Sequence, residues 1–298
     1  MILHKQCPLC RSTSLIGYAI DTKRRGPHIS RVQCSSCKLV FANPMADADE
    51  LNSYYNDYYE KDHYKAMDYK NIILDRYEYF KKIKPEDLGK EIRYLKMLES
   101  KSKFLDVGCG LGLGLAQANQ LNCELYATEF DEGALDFVKK HFLIQTFKGD
   151  LWGADYPDNY FDFVHISHVI EHVLDPRAYV QEMSRILKPG GFLAIGTPDI
   201  SSYLYRMHRW VNLLQFKVPD VIDGLEHTFI FPKSGLHSLC VQEGLEVVDH
   251  YTYTLGEKLS NLKHYKMPLS KKINRLIQNA FHINQWIVCQ KKAADNER

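Results

Sequence analysis

The 298-residue sequence lacks a long apolar run, an excess of charge of either sign and any internal repeat. No run approaches the roughly 18 apolar residues needed to span a bilayer. The net charge of +1 provides no global field that would attract nucleic acid or an anionic membrane. The first residues also lack the apolar core of a signal peptide, so we expect a cytoplasmic protein without membrane contact.

Cysteine is scarce except near the start of the chain. Four of the eight cysteines form two Cys-x-x-Cys pairs, Cys7 with Cys10 and Cys34 with Cys37. Two such pairs can close a tetrahedral shell around Zn²⁺, and a closed shell leaves no position for catalysis. The other interpretation, a redox pair or incidental disulfides, is disfavoured in an intracellular protein. The remaining cysteines lie in apolar surroundings and are expected to be packing residues: Cys109, Cys123, Cys240 and Cys289.

The pattern divides the chain into three segments. Residues 1–44 are predicted to form a zinc-ribbon-like Cys₄ module, which is too small to fold on an apolar core alone. Residues 45–100 are predicted to form a helical connector, with helices near 72–83 and 88–98. The connector includes a run of tyrosines that packs on the main domain or, in the second interpretation, forms a lid: Tyr54, Tyr55, Tyr58, Tyr59, Tyr64 and Tyr69.

From residue 101 onward, strand and helix patterns alternate, which predicts an α/β fold with a parallel sheet and helices on both faces. The predicted strands are 103–107, 123–129, 144–148, 161–166, 191–196, 245–254 and 284–291. The predicted helices are 113–121, 131–141, 175–187 and 233–243.

A glycine-rich turn follows the first of these strands. Glycines stand at 108, 110, 112 and 114, directly before a run of helix formers. Such a turn allows a ligand to approach the backbone closely, and the next helix offers amide donors. The dinucleotide fingerprint would require a glycine where Leu113 stands. Asp106 would also repel a pyrophosphate, whereas an ammonium and a sulfonium group tolerate it.

The segment Asp106-Val107-Gly108-Cys109-Gly110-Leu111-Gly112 resembles the first motif of class I S-adenosylmethionine-dependent methyltransferases. Leu187-Lys188-Pro189-Gly190-Gly191 resembles the segment before their fifth strand, and the resemblance covers about residues 101–255. It implies that residues 101–298 form a Rossmann-like methyltransferase domain. Its seven-stranded sheet is expected to be mostly parallel, with the last strand antiparallel.

Residues after the strands suit this cofactor. Glu129 lies 21 positions after Gly108, the separation at which an acid reaches a ribose diol, and Phe130 could stack on adenine. Asp150 stands where the family's acid commonly receives the adenine amino group. The predicted cofactor-binding residues are Asp106, Gly108, Cys109, Gly110, Gly112, Glu129, Phe130, Asp150, Leu151 and Ser167.

The fourth strand leads into His168, Glu171 and His172, and a further histidine, His227, follows downstream. The segment from His168 to His172 resembles a Glu-x-x-Glu-His motif in family members that make ubiquinone or modify small-RNA ends. Those members bind a divalent metal at this motif. Three interpretations stay open, in this order: a histidine acts as general base, the four residues hold a second divalent metal, or they are structural. His165, inside the strand, is expected to be a packed core residue.

These features predict a methyltransferase that O-methylates a small molecule or a sugar or glycan, with a histidine as base. The double Cys-x-x-Cys start resembles a bacterial subgroup associated with sugar or polysaccharide modification. The alternative is a zinc-ribbon nucleic-acid-binding protein or an RNA methyltransferase, although the near-neutral charge disfavours nucleic acid. Its phosphate contacts would come from scattered basic residues: Arg24, Arg25, Arg31, Arg206, Arg209 and Lys217.

Overall fold

A seven-stranded sheet forms the centre of the computed structural model, which describes residues 1–18, 31–55, 69–99, 101–203, 228–253 and 284–293. Its strands are β4 (Lys103–Val107), β5 (Glu124–Glu129), β6 (Ile144–Lys148), β7 (Phe161–Ser167), β8 (Leu187–Pro198), β10 (Leu245–Tyr253) and β11 (Asn284–Lys291). The strand order is β10-β11-β8-β7-β4-β5-β6. The strands from β8 to β6 are parallel, and β11 is antiparallel to both of its neighbours. This arrangement confirms the predicted fold class.

The chain reverses its direction of travel across the sheet at β4. It runs outward through β5 and β6 and then returns to β7, on the other side of β4. In open α/β sheets, ligands bind at such a switch point, beyond the carboxyl ends of the strands. The loops that follow β4 and β7 therefore define the place to look for a site.

In the described part of the chain, four helices cover the sheet: α3 (Leu113–Ala118), α4 (Glu132–His141), α5 (Pro176–Ile186) and α6 (Lys233–Gln242). Two of them begin at an aspartate whose side chain accepts backbone amide hydrogens. Asp131 caps α4 through the amide of Ala134, and Asp175 caps α5 through the amides of Arg177 and Ala178. These caps satisfy amides that have no partner inside the helix.

The connector contains α1 (Ala48–Tyr55) and α2 (Tyr69–Phe80), followed by two 3₁₀ turns, Pro85–Asp87 and Ile92–Met97. The helix predicted near 72–83 thus starts and ends earlier, and the one near 88–98 is a 3₁₀ turn. Ile73, Tyr77 and Ile92 are buried on the same face of the sheet as α3 and α4. The tyrosines at 58, 59 and 64 lie outside the described residues.

A second, four-stranded sheet carries the amino-terminal module. It contains β1 (Leu15–Tyr18), β2 (Arg31–Cys34), β3 (Val40–Ala42) and β9 (Phe229–Ile230), in that order and antiparallel. Its last strand comes from the segment that precedes α6. Leu39, Phe41 and Met45 share one apolar cluster with Phe231 and Leu236, so the two sheets are joined by a common core.

Candidate active site

The turn between β4 and α3 needs its glycines for backbone reasons. Gly108, Gly110 and Gly112 have φ values of 63°, 51° and 73°, the left-handed region that side chains with a Cβ rarely adopt. A Cβ at Gly108 would also lie 2.5 Å from Cγ2 of Val169, in the loop after β7. The glycine turn and the loop after β7 therefore pack directly against each other at the switch point.

Asp106 forms a buried pair beneath this turn. Its Oδ1 lies 2.7 Å from Nδ1 of His165 on the neighbouring strand, and the two side chains are 4% and 5% exposed. Burial lowers the pKa of His165, but the charge and hydrogen bond of Asp106 outweigh that effect and raise it overall. Gly114 leaves room for the pair, because a Cβ there would lie 2.6 Å from Asp106 Oδ2. His165 is buried as predicted, and Asp106 has an internal partner.

Glu129 connects the turn to the start of α4. Its carboxylate accepts hydrogen bonds from the amides of Gly110 at 2.8 Å, Phe130 at 2.8 Å and Asp131 at 3.2 Å. Burial raises the pKa of Glu129, although the three amides favour the ionised form. The side chain is half-buried at the end of β5, where an acid can reach the hydroxyls of a ribose.

The other predicted cofactor-binding residues surround the same edge of the sheet. Cys109 is buried and its amide donates to the carbonyl of Thr128, while burial raises the pKa of its thiol. Asp150, after β6, accepts from the amide of Gly153 at 2.9 Å, and Leu151 is fully buried. Phe130 is half-buried and Ser167 ends β7. All of these residues follow or end neighbouring strands, at the edge that the resemblance predicts.

His168 is held by three contacts at the end of β7. Its backbone has a left-handed φ of 55°, and its amide donates to the carbonyl of Gly196 at 2.8 Å. Ring atom Nδ1 lies 3.1 Å from Oε1 of Glu171, and Nε2 lies 3.0 Å from the hydroxyl of Tyr253. The side chain remains 29% exposed. His168 is thus an oriented imidazole that solvent or a ligand can reach.

Glu171 is fully buried behind His168. Its Oε2 accepts a hydrogen bond from the Thr197 hydroxyl at 2.9 Å, and its backbone carbonyl accepts from the amide of Phe229. Nε2 of His172 is 3.9 Å from Glu171 Oε1, and its side chain is 16% exposed. The structure therefore brings three of the four predicted catalytic residues together, and His227 lies outside the described residues.

Thr197, Tyr253 and Tyr77 also belong to this region. Tyr77 donates its hydroxyl to the carbonyl of Leu111 in the glycine turn. Thr197 lies in the segment Gly196-Thr197-Pro198-Asp199, whose position at a strand end predicts that it borders the substrate, whereas the sequence predicts no site role for Tyr253 or Tyr77. Each of these tyrosines reaches the site from a distant part of the chain without a local motif.

The four cysteines of the amino-terminal module form a separate cluster. Their sulfurs all lie within 4.8 Å of one another, with Cys7 to Cys37 at 3.6 Å and Cys10 to Cys34 at 3.5 Å. Four sulfurs at a Zn–S distance of about 2.3 Å lie about 3.8 Å apart, whereas a disulfide requires about 2.05 Å. This Cys₄ group could therefore bind zinc.

Among the described residues, no helix is long and apolar enough to cross a membrane.

The comparisons with known proteins agree with the geometry of the sheet and turn. A family model described as a methyltransferase domain matches residues 79–250. A demethylmenaquinone methyltransferase of Corynebacterium efficiens is 28% identical over 151 residues, 50% of this chain and 65% of that protein. A ubiquinone biosynthesis O-methyltransferase of Pseudomonas aeruginosa is 27% identical over 185 residues, 59% of this chain and 77% of that protein.

A solved structure shares the fold at low sequence identity. It is described as a complex between the Haloferax volcanii Trm112 methyltransferase activator and the putative methyltransferase, and it aligns with a TM-score of 0.53 at 13% identity. The alignment covers 83% of this chain and 100% of the other. The matched domain, the strand order and the glycine turn after β4 all agree, and the chain belongs to the methyltransferase-domain family as a class I S-adenosylmethionine-dependent methyltransferase.

Proposed function

We propose that this enzyme transfers the methyl group of S-adenosylmethionine to a hydroxyl of a small-molecule acceptor, with His168 as general base. The observation that carries the proposal is the contact of His168 with the buried carboxylate of Glu171, directly beside the glycine turn. A buried carboxylate stabilises the imidazolium that forms when the ring takes a proton. The exposed part of the ring is where an acceptor hydroxyl would meet it.

The cofactor would be held by the predicted residues around the turn. Glu129 would bind the ribose, Asp150 and Phe130 the adenine, and the backbone from Gly108 to Gly112 the amino-acid portion. The half-buried carboxylate of Glu129 and the left-handed glycines suit this ligand. Bound S-adenosylmethionine supplies a methyl group that its sulfonium already activates, so the protein has to orient the acceptor and remove its proton.

A divalent metal at His168, Glu171, His172 and His227 is not part of this proposal. Both ring nitrogens of His168 and both carboxylate oxygens of Glu171 have hydrogen-bond partners inside the protein. Among the described residues, the four cysteines are the one group of three or more potential ligands that lie close enough to share an ion. These hydrogen bonds therefore give no support to a second metal ion at His168 and Glu171.

We further propose that the cysteines hold a structural zinc ion and that the chain divides near residues 44 and 100, into ribbon, connector and methyltransferase domain. The sulfur distances support the zinc. The two Cys-x-x-Cys pairs each contribute both of their sulfurs, as in other closed zinc shells.

The acceptor class is a phenol or a sugar hydroxyl. The name of the Pseudomonas aeruginosa relative, a ubiquinone biosynthesis O-methyltransferase, supports a hydroxyl of a quinone precursor, and the resemblance of the ribbon supports a sugar. Incubation with labelled S-adenosylmethionine and 3,4-dihydroxybenzoate, UDP-glucose or tRNA separates these classes. Labelled tRNA as the sole product would overturn the proposal. Arg31, one of the predicted phosphate contacts, is 2% exposed, which does not suit that role.

Replacing His168 tests the base directly. The change His168→Gln should lower kcat by about 100-fold or more, because the acceptor proton then has no base within reach. Affinity for S-adenosylhomocysteine, measured by calorimetry, should stay near that of the wild type, since the cofactor residues are untouched. His237→Gln, on α6, is the matched control and should keep wild-type kcat. Wild-type turnover in His168→Gln would remove His168 from the mechanism.

A further inference from the structure

A chain of hydrogen bonds runs from the interior of the protein to the proposed base and then to a residue on another strand. It connects Thr197 to Glu171, Glu171 to His168, and His168 to Tyr253. We propose that Tyr253 is a positioning residue, which holds the imidazole of His168 in one tautomer and one rotation before the acceptor arrives. This inference rests on the proposed role of His168 as base, but its main test does not depend on turnover.

The direction of each hydrogen bond follows from the buried carboxylate. In the proposed arrangement Glu171 is ionised. Its Oε2 accepts from the Thr197 hydroxyl, and its Oε1 accepts from Nδ1 of His168. A neutral imidazole that carries its proton on Nδ1 has its lone pair on Nε2. The hydroxyl of Tyr253, 3.0 Å from Nε2, must therefore donate to that lone pair.

Tyr253 is itself held rigidly. Its ring stacks on Trp286 with the centroids 5.7 Å apart, and Trp286 lies over His165 at 5.2 Å. Gly196 makes this packing feasible, because a Cβ there would come within 2.7 Å of the Trp286 ring. Burial raises the pKa of Tyr253 well above its usual range, so the phenol keeps its proton at neutral pH. The ring of Tyr253 is thus fixed in position and its hydroxyl stays protonated, so only the hydroxyl hydrogen can rotate.

These contacts prepare the ring for proton transfer. Glu171 and Tyr253 hold it from opposite nitrogens, so the Nε2 lone pair is kept in one direction. When an acceptor hydroxyl arrives beside Nε2, the phenol of Tyr253 turns its O–H bond away while its ring stays in place. The O–H bond of the acceptor then breaks as a new N–H bond forms at Nε2. The resulting positive charge on the ring faces the carboxylate of Glu171. A ring without Tyr253 would rotate more freely and react less often.

The variant Tyr253→Phe removes only the hydroxyl, and Tyr251→Phe is a matched control. Tyr251 is two residues away on the same strand and donates its hydroxyl to Glu91 at 2.8 Å, without contact to His168. Both variants lose one hydrogen bond to a neighbouring side chain, so they are expected to lose similar stability. Only Tyr253→Phe should change the tautomer and the rotation of the His168 imidazole.

The main readout is the ¹⁵N spectrum of the full-length, histidine-labelled protein, with the His168 signals assigned by their loss in His168→Gln. In the wild type, His168 should appear as the Nδ1–H tautomer with Nε2 shifted by its hydrogen bond. Tyr253→Phe should move the Nε2 resonance toward the value of an unbonded nitrogen, and Tyr251→Phe should not. An unchanged Nε2 resonance in Tyr253→Phe, or an equal shift in both variants, would overturn the proposal.

The kinetic readout uses 3,4-dihydroxybenzoate. Tyr253→Phe should lower kcat by about 10-fold, because the His168 ring loses its fixed orientation. KM should not rise, because the phenol no longer competes with the acceptor hydroxyl for Nε2. A rise in KM at constant kcat would contradict the positioning role. Full activity of His168→Gln, together with an Nε2 shift between the wild type and Tyr253→Phe, would overturn the base and leave the contact of Tyr253 standing. The two failures can therefore be distinguished.

Discussion

At the scale of single residues, Gly114 shows how a buried, hydrogen-bonded pair of side chains restricts the sequence that packs on it. Gly114 lies in helix α3, where alanine would ordinarily stabilise by about 1 kcal/mol. Its missing Cβ, however, is the space that Asp106 Oδ2 and the His165 ring need, at 2.6 and 2.8 Å. Neither side chain can move aside for a Cβ at position 114, because both are buried and they are hydrogen-bonded to each other.

We therefore expect Gly114→Ala to destabilise the protein by about 1–3 kcal/mol, since overpacking outweighs the gain in helix propensity. Urea denaturation followed by circular dichroism measures the free energy of unfolding. Gly17→Ala is the control, because a Cβ there meets nothing within 4 Å, and it should stay within about 0.5 kcal/mol of the wild type. A Gly114→Ala protein more stable than the wild type would contradict the packing argument.

At the same scale, some residues of the candidate site could be predicted from the sequence and others could not. His168, Glu171 and His172 could be found because they are adjacent in the chain and follow a strand that ends at the switch point. The contact between His168 and Tyr253 joins residues 85 positions apart. It depends on the alignment of β10 beside β11 and β8, and no local pattern encodes that alignment.

At the scale of elements, several strands of the large sheet could be located closely from the sequence, and β9 could not. The bounds of β4, β6 and β11 match their predictions, because each is a clear apolar or alternating run. β9 has only two residues, Phe229–Ile230, and exists because it pairs with the edge of β3. A strand that is defined by its partner in this way carries too little pattern of its own to be predicted.

The amino-terminal sheet gives a prediction at this scale. Cys37→Ser should reduce zinc from about one ion per chain to none, because serine does not replace a thiolate in a Cys₄ shell. Metal analysis of the purified protein measures the content, and the melting temperature should fall with it, since the small module folds largely on its metal. Cys123→Ser, which leaves the cluster intact, is the control. A wild-type protein without zinc, or a Cys37→Ser protein with full zinc, would contradict the assignment.

At the scale of the whole molecule, His250 makes stability depend on pH. Burial lowers the pKa of His250 to about 4, and Lys233 and His237 on α6 add to the effect, while Gln285 and Asp249 oppose it. The unfolded chain takes up this proton near pH 6.5. Between about pH 6.5 and 4 the unfolded state therefore binds more protons than the folded state, and stability falls as the pH is lowered.

His250→Asn should make the loss of unfolding free energy between pH 7 and pH 5 smaller than in the wild type. His165, whose pKa is raised, acts in the opposite sense and is present in both proteins, so the comparison isolates His250. Urea denaturation at the two pH values gives the difference. His141→Asn, at the exposed end of α4, should behave as the wild type does. Equal pH dependence in His250→Asn would show that His250 does not control this slope.

The pairing of β3 with Phe229–Ile230 restricts how this protein can evolve. The amide of Phe229 also donates to the carbonyl of Glu171, so one short strand serves both the cysteine-bearing sheet and the carboxylate behind His168. An exchange of the amino-terminal part with that of another protein would have to preserve this shared edge. The two parts are therefore expected to be inherited as a matched pair, and recombination that separates them should yield unproductive hybrids.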